Sequence, residues 1–308
     1  MDLDLQTVRI VRAIADSGSI TGAARMLGYS QPAVSQQLQR AETRLGLPLI
    51  APAGRTVRLT EAGQLLARHA LAITSALDAA AGELADLAGL RSGTVRLAAF
   101  PTASSTIVPR FLAGMAKRHP GVHVSYLEAE PPQALALLRD GAIDLAITFS
   151  YPGDRGEQDR DGVVVPLFTE EMVVVLPTGH RSADDARVDV ARLADERWIA
   201  GCPRCRGHLL AVCETAGFAP GIAFETDNAG AVLSMVASGL GVAMLPRLAM
   251  ATATLPAGAV ITPHSPLSVR SIQALANDGA RRVPSLAATT AALRDLDGSD
   301  WGLVGAAS

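Results

Sequence analysis

Lysine is all but missing from this chain of 308 residues: of its 27 basic side chains, only Lys117 is not an arginine. A GC-rich coding bias accounts for that as well as a function does, so it decides nothing. Aromatic residues make up 4%, too few for an aromatic-rich sandwich, and this favours helices packed on parallel strands. No apolar run reaches the ~20 residues of a membrane-spanning helix. The opening MDLDLQTVRI is acidic and amphipathic, with no basic stretch leading into an apolar run, so no secretory signal is expected. A cytoplasmic location and no membrane partner follow as expectations. Three cysteines in a reducing compartment do not suggest a disulfide framework. The histidines (His69, His119, His123, His180, His208, His264) show no metal-ligand spacing on their own. Nor is there a Gly-rich phosphate loop or a nucleophile elbow. An enzyme is therefore disfavoured and no cofactor is expected.

What is present is apolar content, 49% of residues, enough for sizeable cores in two domains. The net charge of −3 alone argues against nucleic acid, but its distribution does not. Residues 1–60 hold Arg9, Arg12, Arg25, Arg40, Arg44, Arg55 and Arg58 against Asp2, Asp4, Asp16 and Glu42, a surplus of three positive charges that leaves −6 on the remainder. A basic head on an acidic body suits a nucleic-acid binder with a near-neutral total.

Leu5, Val8, Val11, Ile14 and Ala15 stand at helical spacing. A second helix is expected at 20–27, with Ala23, Ala24 and Leu27 on one face. After the turn Gly28-Tyr29-Ser30, Ser30 is a natural N-cap and Pro32 fits a first helical turn. The third helix then runs to about Leu45, with Val34, Leu38, Ala41 and Leu45 inward. Pro32, Ser35, Gln36, Gln39 and Arg40 are left on the other side. That is the helix-turn-helix pattern, and Gln, Ser and Arg suit base edges and phosphates. An ordinary solvated helix face would look the same. Residues 49–60 read as a short ribbon whose Arg55 and Arg58 suit phosphate contacts.

Thr60-Glu61-Ala62-Gly63 opens a long helix to about Leu90. Leu66, Ile73, Ala80 and Leu87 recur every seven residues, with Ala70, Leu77 and Leu84 four residues after the first three. This a/d stripe favours a helix–helix dimer seam over a monomer core. At ~1.5 Å per residue the helix spans roughly 45 Å. Beyond Arg91 the pattern alternates. Strands are expected near 94–100, 122–128, 143–148, 163–168, 171–177, 197–200, 222–226, 241–245 and 269–276. Helices are expected near 104–118, 132–140, 206–216, 229–238 and 284–296. This is doubly wound α/β, and ligands on such sheets bind beyond the carboxyl ends of strands. The loops 100–105, 128–131, 148–151, 200–207 and 226–229 are therefore the candidate site. They supply Pro101, Thr102, Ser104 and Ser105, with Glu128 and Glu130 from the next loop and Cys202, Arg204 and Arg206 from another.

Gly18-Ser19-Ile20-Thr21, Ala23-Ala24, Leu27 and Ser30-Gln31-Pro32-Ala33-Val34-Ser35 resemble the LysR-type regulator signature. Glu42, Leu45-Gly46, Pro48-Leu49 and Leu59-Thr60-Glu61-Ala62-Gly63 extend the resemblance, and Val236-Ala237-Ser238-Gly239-Leu240-Gly241-Val242-Ala243-Met244-Leu245-Pro246 looks like the family's late strand-turn segment. The resemblance covers essentially the whole chain. It implies an all-α winged helix-turn-helix (1–60), a linker dimerisation helix (61–91) and an α/β effector domain (92–308). That domain has two doubly wound lobes like those of periplasmic binding proteins: lobe I, 92–163 and 270–308; lobe II, 164–269. The crossover strands are expected near 163–168 and 266–271. The implied partners are double-stranded promoter DNA, a small-molecule effector and further copies of the chain, as dimer or tetramer. The expected DNA-binding set is Thr21, Ser30, Gln31, Pro32, Ser35, Gln36, Gln39, Arg40, Arg55 and Arg58. Positions matching Thr148, Phe149, Thr226 and Asp227 line the family's ligand site.

The chain also departs from the family. Ile50 stands where Phe is usual and Pro52 where Arg is usual, which removes one phosphate contact. Glu128-Ala129-Glu130-Pro131 replaces a Glu-Gly-hydroxyl loop. Those acids argue for an amphoteric or neutral polar effector, or a bulky one with a single carboxylate. An inter-lobe pair of Glu130 with Arg204 or Arg206 is expected when the cleft is empty. Cys202-Pro203-Arg204-Cys205, followed by His208 and Cys213, admits a merely structural role, redox sensing or, least favoured, a metal site at Cys202, Cys205 and His208; Cys213 falls on an apolar helix face. Three other classes stay in view. A transport receptor would share the two lobes but not residues 1–60. An enzyme lacks a motif, and a coiled-coil adaptor would not need a cleft.

Overall fold

The computed structural model describes residues 3–53, 56–87, 93–154, 162–251, 253–277 and 283–306. They form two compact units, residues 1–84 and 85–308.

In the first unit each of the first three helices starts on a side-chain oxygen and stops on a glycine. In α1 (Leu5–Ser17) Asp4 accepts from the Thr7 amide, in α2 (Ile20–Leu27) Ser19 accepts from the Gly22 amide, and in α3 (Gln31–Leu45) Ser30 accepts from the Ala33 amide. Gly18, Gly28 and Gly46 close the three helices with φ of 66°, 71° and 70°, the left-handed conformation that glycine adopts without a Cβ penalty. Val11, Ile14, Ala23, Ala24, Val34, Leu38 and Ala41 build the core, while Ala15, expected on the inner face of α1, is exposed.

The wing is two strands, β1 (Ile50–Ala53) and β2 (Thr56–Leu59), paired antiparallel from Ile50↔Leu59 to Ala53↔Thr56. Glu42 anchors it to α3: its Oε1 accepts from the Leu49 amide at 2.7 Å and from the Ile50 amide at 3.1 Å. The helix α4 (Glu61–Leu87) begins where Thr60 Oγ1 accepts from the Gly63 amide. Along its heptad stripe Ala70 is buried and Leu66 packs on the core of this unit, whereas Leu77 and Leu84 are exposed. Arg55 and Leu90 lie outside the described residues.

The second unit is built on one curled mixed sheet. Its first half holds β3 (Gly93–Ala99), β4 (Val122–Glu128) and β5 (Leu145–Ser150), paired parallel in the order β4-β3-β5. The ladder continues through β12 (Val269–Ala276) to β6 (Val163–Pro177), then through β10 (Val242–Pro246) and β8 (Arg197–Ala200) to β9 (Gly221–Glu225). Off this path, β11 (Ala259–Ser265) pairs with β6 and with the short β7 (Val188–Asp189), and β13 (Val304–Gly305) also pairs with β6. The helices α5 (Pro101–Ser104), α6 (Ile107–Arg118), α7 (Pro131–Arg139), α8 (Pro203–Thr215), α9 (Ala229–Ala237) and α10 (Pro284–Arg294) complete the α/β lobes.

Several elements differ from the sequence reading, and β11, β7 and β13 stand where no strand was expected. The polar stretch Thr169-Glu170-Glu171 does not divide 163–168 from 171–177. β6 is one strand of 15 residues, pairing β12 through Glu171 and β10 and β11 from Met172 onward. It crosses from one half of the sheet to the other because Glu170 is neutralised in place by Arg270 on β12. The helix expected from 104 opens earlier, as the single turn α5, and breaks at Thr106 before α6.

Gly63 lies so close to the wing that a Cβ there would overlap the Leu49 carbonyl oxygen. Gly63→Ala is therefore expected to destabilise the first unit by about 1–3 kcal/mol, read as a lower urea midpoint. An unchanged midpoint would show that the wing yields freely.

Candidate functional site

The outward face of the helix-turn-helix is mostly polar because its inward face takes most of the apolar positions, Met26 and Tyr29 being exposed exceptions. Gln31, Pro32, Gln36, Gln39 and Arg40 on α3 are exposed, as are Thr21 on α2, Ser30 before α3 and Arg58 on β2; Ser35 is half-buried. Ser30 is held by its cap, and the Gln31 amide donates to Ser35 Oγ at 3.0 Å. Arg40 is not paired with Glu42, whose Oε1 is the acceptor for the wing.

The second candidate site lies at the carboxyl ends of β3, β5 and β8, where α5 and α8 begin. Its centre is Arg270. The Nε donates to Glu170 Oε1 at 2.6 Å and an Nη to Thr102 Oγ1 at 3.0 Å, while the guanidinium lies over the Phe149 ring (4.3 Å) and the Phe100 ring (4.9 Å). Glu170 Oε2 accepts from the Leu248 amide at 2.7 Å. Burial opposes the Arg270 charge, but the carboxylate beside it overcomes that and holds the group protonated. From Phe149 the aromatic contacts continue to Tyr151 (5.7 Å, edge-on), and Tyr151 stacks on the His208 ring at 3.8 Å.

The loops expected to line a ligand site meet here, with changed partners. Ser104 ends α5 instead of opening a helix: its hydroxyl donates to the Phe100 carbonyl at 2.9 Å and accepts from the Tyr126 hydroxyl. Ser105 and Glu128 are exposed and Pro101 is half-buried. Thr148 and Phe149 are buried, and Thr148 Oγ1 finds no partner among the described residues. Thr226 accepts from the Asn228 amide, and Asp227 is exposed beside it.

The inter-lobe pair of Glu130 with Arg204 or Arg206 is not formed. Arg204 donates to the Phe149 carbonyl at 2.5 Å and lies 3.9 Å from Asp154; Arg206 pairs with Glu225 at 3.0 Å. Each arginine takes acceptors nearer than Glu130. Glu130 instead stands next to Cys202, with Oε2 unpartnered among the described residues; burial pushes its carboxyl above the usual range and the Cys202 thiol partly offsets that. Cys202, Cys205 and His208 do not converge on a metal position: among the described residues no group of three or more His, Cys, Asp or Glu side chains could hold one. Cys213 is buried in the core.

The bacterial regulatory helix-turn-helix profile of the lysR family matches residues 5–64, and the LysR substrate binding domain matches residues 88–297. The chain belongs to the LysR family. It is a DNA-binding transcriptional regulator with an N-terminal helix-turn-helix and a C-terminal effector-binding domain. A probable hydrogen peroxide-inducible genes activator of Mycobacterium avium is 34% identical over 248 residues, 79% of this chain and 78% of that one. A cysteine mutant of Corynebacterium glutamicum OxyR is 26% identical with a TM-score of 0.58, covering 96% of this chain and 91% of that one. Full-length OxyR of Pseudomonas aeruginosa with one cysteine changed to aspartate shares the fold, at 22% identity and a TM-score of 0.74 over 96% of both chains.

Arg270, Glu170 and Tyr151 were not singled out from the sequence. The available signal was charge inside apolar strands: Glu170 in Leu167–Leu176 and Arg270 in Val269–Ala276. His208, weighed only as a metal ligand, is a half-buried imidazole whose pKa is lowered to about 4, by burial first and then by the charges of His264 and Arg270. An unfolded histidine titrates near 6.5, so on acidification the unfolded state takes up this proton first. The stability it contributes is whole above pH ~6.5 and is lost as pH falls toward 4. His208→Gln should flatten the decline of melting temperature across that window; an unaltered slope would assign the decline to other groups.

Proposed function

We propose that α3 reads operator DNA in the major groove through Gln31, Pro32, Ser35, Gln36 and Gln39. Thr21, Ser30, Arg40, Arg55 and Arg58 position the backbone, and a small effector in the cleft of the second unit regulates that binding. The observation that carries the reading is the exposed Gln, Ser and Arg face of a helix whose opposite face builds the core. The chain then acts in the cytoplasm and catalyses no reaction. Its domains are a head (1–60), a linker (61–91) and an effector domain (92–308) of lobes 92–163 with 270–308 and 164–269.

For the cleft, Pro101, Thr102, Ser104, Ser105, Glu128, Glu130, Thr148, Phe149, Cys202, Arg204, Arg206, Thr226 and Asp227 form the proposed lining. Arg204 and Arg206 already hold other partners, and Glu130 and Thr148 each keep an oxygen unpartnered among the described residues. That supports an effector presenting donors or a protonated nitrogen, amphoteric or neutral overall, over a small dicarboxylate.

Gln36→Ala is expected to relax preference at one base pair by about 1–3 kcal/mol, whereas Arg58→Ala should weaken all DNA alike and flatten the salt dependence. Footprinting and a salt titration on promoter DNA from the protein's own locus measure both. A Gln36→Ala footprint with intact base preference would remove the assigned reading face.

Self-association through α4 is the second part of the proposal, supported by the exposure of Leu77 and Leu84 on one heptad stripe. Replacing both by Glu puts unpaired charge in the seam, at several kcal/mol, and sedimentation should then show smaller assemblies. Wild-type assembly in that double variant would refute the seam.

A further inference from the structure

Neither DNA reading nor ligand recognition accounts for the chemistry of Cys202 and Cys205. Both are free thiols, with sulfurs 2.9 Å apart. Local sequence brings them together: Cys202 is the N-cap of α8, Pro203 opens the helix, and Cys205 lies one turn on, its amide donating to Cys202 Sγ at 3.4 Å. The separation discriminates between uses of the pair. Tetrahedral zinc, with Zn–S of ~2.3 Å, keeps its sulfurs roughly 3.8 Å apart and needs further ligands; the described residues supply no such group. A sulfur–sulfur bond needs about 2.05 Å, within reach of side-chain rotation.

The two thiols are unequal. Cys205 keeps some exposure, while Cys202 is buried. Cys205 is held below the usual thiol range by the hydrogen bond from Cys202, and against burial by the Arg270 charge and the Tyr151 hydroxyl. Cys202 is pushed up, first by donating to Cys205 and then by burial. The Glu130 carboxylate stands beside it, and its charge adds to that rise. A thiolate attacks and a protonated neighbour resolves once its proton has somewhere to go.

We propose that Cys202 and Cys205 are a redox-active dithiol in which Cys205 attacks and Cys202 resolves with Glu130 as its proton acceptor, and that closing the bond alters the hydrogen bonding of Glu130 in the effector cleft. The co-reactant is a small two-electron oxidant of thiols, a disulfide RSSR or a hydroperoxide ROOH. With RSSR, the Cys205 thiolate forms a bond to one sulfur, the S–S bond breaks and RS⁻ leaves. Cys202 then gives its proton to Glu130, attacks the Cys205 sulfur and expels the second RS⁻. The two thiol protons end on two RSH. With ROOH, the thiolate takes the distal oxygen, the O–O bond breaks and RO⁻ leaves as ROH with the first proton. Cys202 closes on the sulfenic sulfur, and hydroxide leaves as water with the proton held by Glu130. In both cases the dithiol loses two electrons and two protons. Glu130 thereby loses the thiol proton beside it and must take a donor from solvent or effector. Only this last consequence rests on the cleft reading; the thiol chemistry is tested without effector or DNA.

The reduced full-length protein is treated in parallel with bis(2-hydroxyethyl) disulfide and with hydrogen peroxide, then quenched, denatured, titrated for thiols and mapped with trypsin. Two of the three thiols should be lost, and the chain should be two hydrogens lighter. Because trypsin cuts after Arg204, between the two cysteines, the resulting halves should stay joined until reduced. Cys213→Ser should close equally well. Cys202→Ser should stop at a stable mixed disulfide on Cys205, and Cys205→Ser should react with RSSR at least about tenfold more slowly. Closure under either oxidant supports the proposal, and the arm that reacts identifies the oxidant. Three surviving thiols under both, or a link through Cys213 or between chains, overturns it. For Glu130→Gln the mixed disulfide should form at least as fast as in the wild type, because the carboxylate charge opposes the Cys205 thiolate, while closure slows about tenfold with an altered pH profile; an unchanged pH profile removes Glu130 from the mechanism.

Discussion

A guanidinium and a carboxylate, both almost without solvent, hold the middle of the effector domain. Taking two charges out of water costs several kcal/mol each unless geometry and hydrogen bonds offset it. Arg270 and Glu170 meet that condition through a 2.6 Å ion pair, the Thr102 hydroxyl, the Leu248 amide and two aromatic faces. The satisfaction is also a constraint. β6 can run unbroken through Thr169-Glu170-Glu171 only with Arg270 opposite. Phe100 and Phe149 are fixed as faces for the guanidinium, and the turn at Thr102 is tied to β12.

The charges around this pair follow from it. A buried cation in the domain's centre favours negative charge nearby, and the Cys205 sulfur is one group that benefits. Glu130 gains less, because burial outweighs its partners. Arg204 and Arg206 do not offset Glu130, since the Phe149 carbonyl, Asp154 and Glu225 engage them first. The cleft is thus acid-leaning although arginines surround it. Counting charges per loop misses this, because an arginine already holding a carbonyl or a carboxylate offers less to a ligand.

What was legible in the sequence was what short-range chemistry decides. Ser30 as a cap, the Gly28-Tyr29-Ser30 turn and the Val34–Leu38–Ala41 stripe are set within a few residues of one another, and the helix-turn-helix could be read from them; the Ser19 cap and the Gly18 and Gly46 stops obey the same local chemistry. Most of the strands were visible as apolar or alternating runs, but β11 (Ala259–Ser265) was missed, its run interrupted by Pro263 and His264. The centre of the cleft was not legible, because its partners are distant: Arg270 and Glu170 are 100 residues apart, and the stacked Tyr151 and His208 lie on different elements. Period and propensity say that a charge inside a strand needs a partner, but not which one. The error over Glu130 and Arg204 has the same origin: the loops were placed near each other, but the competition between acceptors is settled by geometry.

The same division bears on how such a chain can respond. The reading head closes most of its polar groups locally through caps and through the Glu42 anchor, with Thr7 Oγ1 its one buried polar side-chain atom without a partner among the described residues, so its recognition face is set by a core with little to exchange. The effector domain leaves Glu130 Oε2, Thr148 Oγ1 and His208 Nε2 buried without partners among the described residues. Each is a deficit on the order of 1–3 kcal/mol that a complementary group can relieve. A ligand shifts a conformational balance only by what it gains in one arrangement over another. Unsatisfied polar atoms beside a rigid ion pair supply that difference: the pair fixes where the lining stands, and the open hydrogen-bond positions determine which chemistry stabilises it.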